Sequence, residues 1–526
     1  MKTILIFIFF LTASSLDLKA NLESAPSLIT KSFTTSLADE GHLWEVSGLP
    51  VDDSKPVIFL IGGLRGDEPY SVAAIEHFMI NLDQDYRNGD DDAVELLSRV
   101  TFRAIPGLNP SGLKLAAGIP EMFPWNGVPW DDDGDGFKDE DPPFDLNGDG
   151  VIGSVRIEKP WGEWKEVLSK DDLEITKMKK ADFVKGEKGG WILRDIEGDD
   201  SDGDGLYGED GLGGISLDRN FPYNWQFPYS NSGGGPFAVS ESEVKFVVDE
   251  LLASPEVAFI VNVRDLGAGM AYPMSNESSD KTPQKDKKIF EAIGERFKQQ
   301  TPYESFFMAK DGPESWSKKG NFLDWAYAGL GRWSISVGLW GLPKEHQETG
   351  ELIFEKAWHQ VSEKEWFDVV GYQDWTSYKE GEESSGWPIY GRSRIPDGET
   401  RLTGILDSWL KFLVGELPIL NIAIEESERL GSETVKVKLR VWNSGLLSTD
   451  SDMSSRIRES SNVWVRFPES DSMLVVGLPQ INLGSLAPGE SRSWEWVIKG
   501  RKKIEVSPTH PRSFVNSLTI DPKEIK

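Results

Sequence analysis

The stretch from Val57 to Ala73 constrains this chain more than any other. Val57-Ile-Phe-Leu-Ile61 is β-branched and aromatic with no polar alternation, the composition of a strand buried on both faces. Gly62-Gly63 then permits a sharp turn. Arg65 and Glu68 follow three residues apart, so within one helical turn both side chains can point at the same spot. A doubly buried strand that turns into the head of a helix requires a sheet covered by helices, an α/β arrangement.

The pattern continues to both sides. Tyr70 to Leu82 and Ala93 to Val100 are expected as helices, and Val100-Thr-Phe-Arg-Ala-Ile105 as a strand running into Asn109-Pro110-Ser111-Gly112. A helix from Glu241 to Leu252, with Ser240 and Glu243 spaced as a capping box, leads to a second buried strand over Val257 to Gly267. At 526 residues, with 20 Trp and 26 Phe, the chain has material for two cores. Residues 21–415 are expected as the first domain, closed by a Trp- and Glu-rich helical region to about residue 375 and by a helix from Leu402 to Val414. Tyr378 to Thr400, rich in Gly, Ser, Glu and Arg, is expected as an exposed loop. From Leu417 the periodicity falls to two, in Val435 to Trp442 and Trp494 to Ile498, so residues 416–526 are expected as an immunoglobulin-like β-sandwich of accessory type.

Residues 1–20 carry a basic residue at position 2, a short apolar core and small residues before Ala20, which is the pattern of a secretory signal peptide. Export without a single cysteine suits a bacterial periplasm or exterior. No later apolar run approaches membrane length, and a formal charge of −31 opposes nucleic acid or an anionic membrane as partner.

Much of that charge is clustered between 130 and 212. Asp131, Asp133, Asp135 and Asp139 surround Gly136; Asp145, Asn147 and Asp149 precede Gly150; Asp200, Asp202 and Asp204 precede Gly205, with Glu209 and Asp210 close behind. Oxygen ligands at alternate positions around a glycine are what calcium needs, because six to eight hard oxygens must converge on it. These residues are the candidate calcium ligands, and the insertion is expected to be ordered by calcium.

Five segments, taken in order, resemble the zinc carboxypeptidases of the carboxypeptidase A type. The family's Gly-Gly-x-His-Gly-x-Glu falls on Gly62 to Glu68, its Asn-Pro-Asp-Gly on Asn109 to Gly112, its Asn-Arg-Asn-Phe-Pro-Tyr on Asp218 to Tyr223, its Gly-Pro-x-Pro-x-Ser-Glu-Pro-Glu on Gly235 to Glu243, and its Asp-Trp-x-Tyr on Asp324 to Tyr327. The resemblance spans roughly residues 40–415 and implies a mixed sheet covered by helices, an α/β/α fold. It also implies that chemistry has been removed. Glu68 matches a zinc-ligand glutamate, but Arg65 and Arg264 stand where the two ligand histidines belong, and Gly338 where the catalytic glutamate belongs. Arg219 matches the substrate-gripping arginine, Asp218 replaces its asparagine partner, and Trp316 falls where the substrate-capping tyrosine would be. His42, His77, His346, His359 and His510 lie outside every ligand motif.

A guanidinium has donors and no acceptor, so it cannot ligate a metal. Zinc, expected in active relatives, is therefore not expected here. Three functional readings follow: a secreted pseudoenzyme whose cleft binds a peptide C-terminus or another small anion; an active metallocarboxypeptidase working through other ligands; and a calcium-ordered structural or adhesive protein. In the first, Arg65, Arg219 and Arg264 converge, with Glu68 and Asp218 each neutralising one arginine and about one net positive charge left for a guest.

Overall fold

A computed structural model describes residues 29–525, apart from 50–51, 53, 118–123, 132–137, 140–141, 143, 147–152, 169–175, 195–196, 199, 201–212, 227–232, 267–268, 275–281, 302–303, 308–318, 341, 346–351, 357–374, 380–382, 387–398 and 469–472. The expected signal peptide at 1–20 lies outside the described residues.

The first domain is built on an eight-stranded mixed sheet. Its order is Ile29–Thr34, Glu40–Val46, Thr101–Ile105, Val57–Ile61, Val257–Leu266, Trp333–Trp340, Gly269–Tyr272, Glu304–Phe307. The four central strands run parallel, while Ile29–Thr34, Glu40–Val46 and Gly269–Tyr272 join through antiparallel pairs. Every residue of Val57–Ile61 is buried, and its side chains divide by parity. Ile58 and Leu60 pack with the helices Pro69–Asn88, Asp91–Arg99, Gln284–Gln300 and Glu399–Val414. Val57, Phe59 and Ile61 pack on the other face with the helix Ser242–Ala253 and with Phe322 and Trp325. Helices therefore cover both faces, as the unbroken apolar run requires.

Three expectations need correction. Ser240 and Glu243 do not form a capping box: the cap position is Glu241 with no side-chain cap bond, the Ser240 hydroxyl donates to Glu241 Oε1, and Glu243 accepts from Ser36 and Ser242. Within the region expected to be helical to about 375, Leu352–Lys356 is a strand paired with Leu342–Glu345. Tyr378 to Thr400 is not simply a loop. Thr376–Lys379 and Glu383–Gly386 are strands, and Glu383–Gly386 pairs with Ser154–Glu158 of the insertion. That pairing extends a second, antiparallel sheet through Trp191–Arg194, Trp164–Leu168 and Thr176–Lys180. Arg156 ties the two contributions together, its guanidinium 4.3 Å from the Trp191 ring centre and 4.4 Å from that of Trp375.

The C-terminal region is β-rich, as its period-two pattern requires. A five-stranded sheet, ordered Met473–Val476, Ser491–Lys499, Thr434–Asn443, Ile419–Arg429, Phe514–Val515, lies against the three-stranded sheet Gln480–Gly484, Val463–Arg466, Pro508–Thr509. Val435, Val437, Leu439, Trp496 and Ile498 of the first sheet share a core with Val463, Val465 and Leu483 of the second, which is the packing of a sandwich.

This region does not hang from a linker. Leu447 and Met453 belong to the same core as Phe290, Tyr327 and Trp333 of the first domain. Asp286 accepts the backbone N–H groups of Asp452 and Met453 at 2.8 and 2.9 Å, and the Tyr327 hydroxyl at 2.7 Å. A first-domain carboxylate thus meets the head of the short helix Asp452–Ile457. Trp333 Nε1 donates to Ser448 O, and Ser451 Oγ to Gly331 O. Among the described residues, no helix is long and apolar enough to cross a membrane.

Candidate functional site

The site forms where Val57–Ile61 ends. Gly63 has φ +54°, and a Cβ on Gly62 would lie 2.8 Å from Pro106 O, so both positions need glycine for the turn. The turn delivers Glu68 to the head of the helix Pro69–Asn88. That head is held by Asp265 of the neighbouring strand, whose carboxyl accepts from Tyr70 N at 3.1 Å and Ser71 N at 2.6 Å. Burial, followed by the nearby Glu68 charge, raises the Asp265 carboxyl well above the usual carboxylate range.

Arg264, one residue before Asp265, points into the same region. Its Nε donates to Glu68 Oε1 at 2.7 Å and its terminal nitrogen NH1 donates to Asp218 Oδ2 at 2.8 Å. The other Asp218 oxygen accepts from Phe322 N at 3.0 Å. All three charged side chains are buried, Arg264 to 4% exposure. Burial disfavours the guanidinium charge, yet Glu68 and Asp218 outweigh it and the net shift of Arg264 is upward. Burial likewise raises Glu68, against the pull of Arg264 and Arg65. Glu68 Oε2 is buried with no hydrogen-bond partner among the described residues.

Arg65 does not pair with Glu68. It forks onto Asp67, with Nε to Oδ1 at 2.8 Å and NH2 to Oδ2 at 2.7 Å. The expected division of charge is thereby corrected: Glu68 and Asp218 both serve Arg264, and Arg65 takes a carboxylate the sequence reading passed over. Asp67, Glu68 and Asp218 balance Arg65, Arg219 and Arg264 in formal charge, so the one surplus positive charge is absent. Arg219 is close enough to Arg65 to feel it, and burial, then Arg65, lowers its guanidinium below the ordinary value. Gly338 lies directly beside Arg264 in the adjacent parallel strand. The structure therefore brings Arg65, Glu68, Asp218, Arg219, Arg264 and Gly338 into one neighbourhood; Trp316 lies outside the described residues.

Asn220 is another residue the sequence reading did not single out. Its side-chain nitrogen donates to Gly234 O, Phe237 O and Ser240 Oγ, and its oxygen accepts from Glu241 N. It joins the segment carrying Asp218 and Arg219 to the start of Ser242–Ala253. A short polar residue beside a charged pair gave no signal of this.

Of the candidate calcium ligands, Asp131, Asp139, Asp145 and Asp200 are described; Asp133, Asp135, Asn147, Asp149, Asp202, Asp204, Glu209 and Asp210 are not. Asp139 has φ +53° and accepts from Trp130 N at 3.3 Å. Glu197, also unremarked in the sequence, is fully buried and accepts from Leu146 N at 2.9 Å and Gly153 N at 3.0 Å, anchoring both flanks of the second acidic loop. Among the described residues, no group of three or more His, Cys, Asp or Glu is placed to hold a metal ion.

Residues 198–360 match the family model described as zinc carboxypeptidase, and residues 420–521 match a domain of unknown function (DUF8731). Carboxypeptidase E of Caenorhabditis elegans is 33% identical over 73 residues, covering 14% of this chain and 16% of that protein. Among solved structures, thrombin-activatable fibrinolysis inhibitor aligns with TM-score 0.39 and 14% identity over 61% of this chain and 63% of that one. The chain spans less than two thirds of the length of either protein. Carboxypeptidase A from Helicoverpa armigera aligns with TM-score 0.42 and 11% identity over 76% of this chain and 70% of that one.

The buried charges set an expectation for stability. Replacing Arg264 by Met leaves Glu68 and Asp218 desolvated without their cation and should cost about 3–5 kcal/mol of unfolding free energy. The combined replacement Arg264→Met, Glu68→Leu, Asp218→Asn should recover most of that loss. Chemical denaturation of the single and triple variants measures both, and an Arg264→Met cost below about 1 kcal/mol would show that the trio is not coupled.

Proposed function

We propose, from the premise that residues 198–360 carry the sequence of the zinc carboxypeptidase family, that this domain is a non-hydrolytic member: an internal ion-pair network holds its former reaction centre, and its cleft takes a small carboxylate at Arg219. The observation that carries this reading is the bond from Arg264 Nε to Glu68 Oε1 at 2.7 Å. Zinc does not fit these residues. Arg264 occupies the one oxygen of Glu68 that has a partner, Arg65 and Arg264 cannot ligate, and Gly338 supplies no base. Peptide hydrolysis on this fold needs a polarising metal and a proton-transferring group, and among the described residues no group is placed to hold the metal. Export through the N-terminal 20 residues belongs to the same proposal.

Elemental analysis of purified protein should find far less than one zinc per chain, and C-terminally free peptides should not be shortened. About one zinc per chain, lost on Glu68→Ala, would overturn the reading.

Arg219 is the favoured anion-binding group because burial and Arg65 both penalise its charge, against the pull of Asp218. A guest carboxylate would relieve that penalty. Calorimetric titration should show C-terminally free peptides binding more tightly than their amides, with the difference abolished by Arg219→Ala. Equal affinity for the two forms would exclude carboxylate recognition.

Calcium is proposed for the acidic loops, supported by their alternating oxygen pattern and by the Glu197 anchor on the second loop. At a hundredfold excess over the dissociation constant, each bound ion adds about 2.7 kcal/mol to the folded state. A chelator should lower the melting temperature and open residues 130–212 to protease; no change in either would leave the loops as plain acidic surface.

A further inference from the structure

Outside the site, a group of buried charges lies where the two domains meet. His510 is fully buried at its side chain; its Nδ1 lies 2.8 Å from Ser513 Oγ and accepts from Arg512 N at 3.3 Å. With Nδ1 accepting, the neutral ring carries its proton on Nε2, which sits 3.5 Å from Asp450 Oδ2 with no hydrogen-bond partner. Ser513, His510 and Asp450 thus stand in line, but all three are buried, which excludes a substrate and leaves titration.

Cations flank the ring. Arg512 spans the contact, donating to Pro255 O in the first domain and to Asp450 Oδ1, Glu459 O and Ser461 Oγ in the C-terminal domain. Arg332 enters from the first domain, buried, with Nε unpartnered and NH1 on Leu330 O. Asp450 is the carboxylate in contact with this group, and Glu459 and Glu256 act from farther off.

We propose that the C-terminal domain is an acid-released clasp on the first domain, and that protonation of His510 is the event that opens it. A second proton on the ring must go to Nδ1, where it opposes the Arg512 N–H, and it adds a third cation to a buried group that holds one carboxylate. Opening lets water reach His510, Arg512 and Arg332 and removes that penalty.

The direction of the pH effect follows. Burial, and then Arg512 and Arg332, outweigh Asp450 and lower the basicity of His510 in the closed state. The open state therefore takes up the proton more readily, and the open fraction grows as pH falls below the ordinary histidine value of about 6.5, by at most about tenfold per pH unit for one proton. Asp286, at the other end of the contact, acts in the opposite sense: burial raises its carboxyl, so the closed state holds that proton better.

Amide hydrogen exchange on the full chain, corrected for intrinsic rates, tests this at about pH 7.5 and about pH 5.5, on either side of that value. Residues 446–461 and 325–333 should lose protection by up to about tenfold at the lower pH, while strands Thr434–Asn443 and Ser491–Lys499 keep theirs. His510→Gln, which cannot titrate, should abolish the change. Equal protection at both pH values, loss spread evenly over the chain, or an undiminished loss in His510→Gln would each overturn the proposal. Should His510→Gln fail to fold, Arg332→Gln removes one facing cation and should move the midpoint to lower pH; an unmoved midpoint would overturn it as well.

Discussion

The first domain depends on a buried guanidinium shared by two carboxylates. Arg264 comes from the strand Val257–Leu266, Glu68 from the head of Pro69–Asn88, and Asp218 from a turn that also holds Phe322 N. None of these charges could be buried alone at tolerable cost. A metal centre reconciles a buried carboxylate with a low dielectric by supplying positive charge and taking lone pairs. An arginine does the same by donation, in a planar fork that can serve two acceptors. What it cannot do is coordinate a substrate oxygen or acidify a water as a metal does.

Asp265 shows how closely the substitution is woven into the scaffold. One residue after Arg264, it accepts from the first N–H groups of Pro69–Asn88, so the strand that supplies the cation also caps the helix that supplies its partner. Movement of Arg264 would disturb that cap. The ion pair and the strand-to-helix geometry therefore stabilise each other.

The α/β core was legible in the sequence because it rests on local signals. An unbroken β-branched run, a Gly-Gly turn and amphipathic periodicity carried the strands Val57–Ile61 and Val257–Leu266 and the helix Ser242–Ala253 to within a residue or so, while Pro69–Asn88 runs six residues past the expected Leu82 and Gln284–Gln300 was not foreseen. The neighbourhood of Arg65, Glu68, Asp218 and Arg264 was legible, but not the place of Asp67 in it nor the pairing. That Asp67 would take Arg65 turns on side-chain geometry within a turn, where sequence offers two adjacent carboxylates, Asp67 and Glu68, and no way to choose between them. The second sheet was hidden for another reason: its strands lie some two hundred residues apart, and Glu383–Gly386 has neither the β-branched content nor the alternation of a strand until Ser154–Glu158 is set beside it. Likewise nothing in the sequence around Asp286 signals that it meets a helix in another domain.

Both ends of the molecule follow one rule about charge. The excess of acidic residues lies before residue 416, since the C-terminal region carries as many acidic as basic side chains. Yet where the first domain must bury charge, at Arg264 and again at Arg332, it does so with arginines whose partners come from elsewhere in the fold. At Arg264 those partners are Glu68 and Asp218, and the group is close to neutral in formal charge. At the domain contact they fall short, because Asp450 must serve Arg512, His510 and the field of Arg332 together. A balanced group of buried charges locks; an underbalanced one responds to a single added proton. The chain therefore places its balanced charge cluster beside the end of the central strand Val57–Ile61 and its underbalanced one where the two domains are held together.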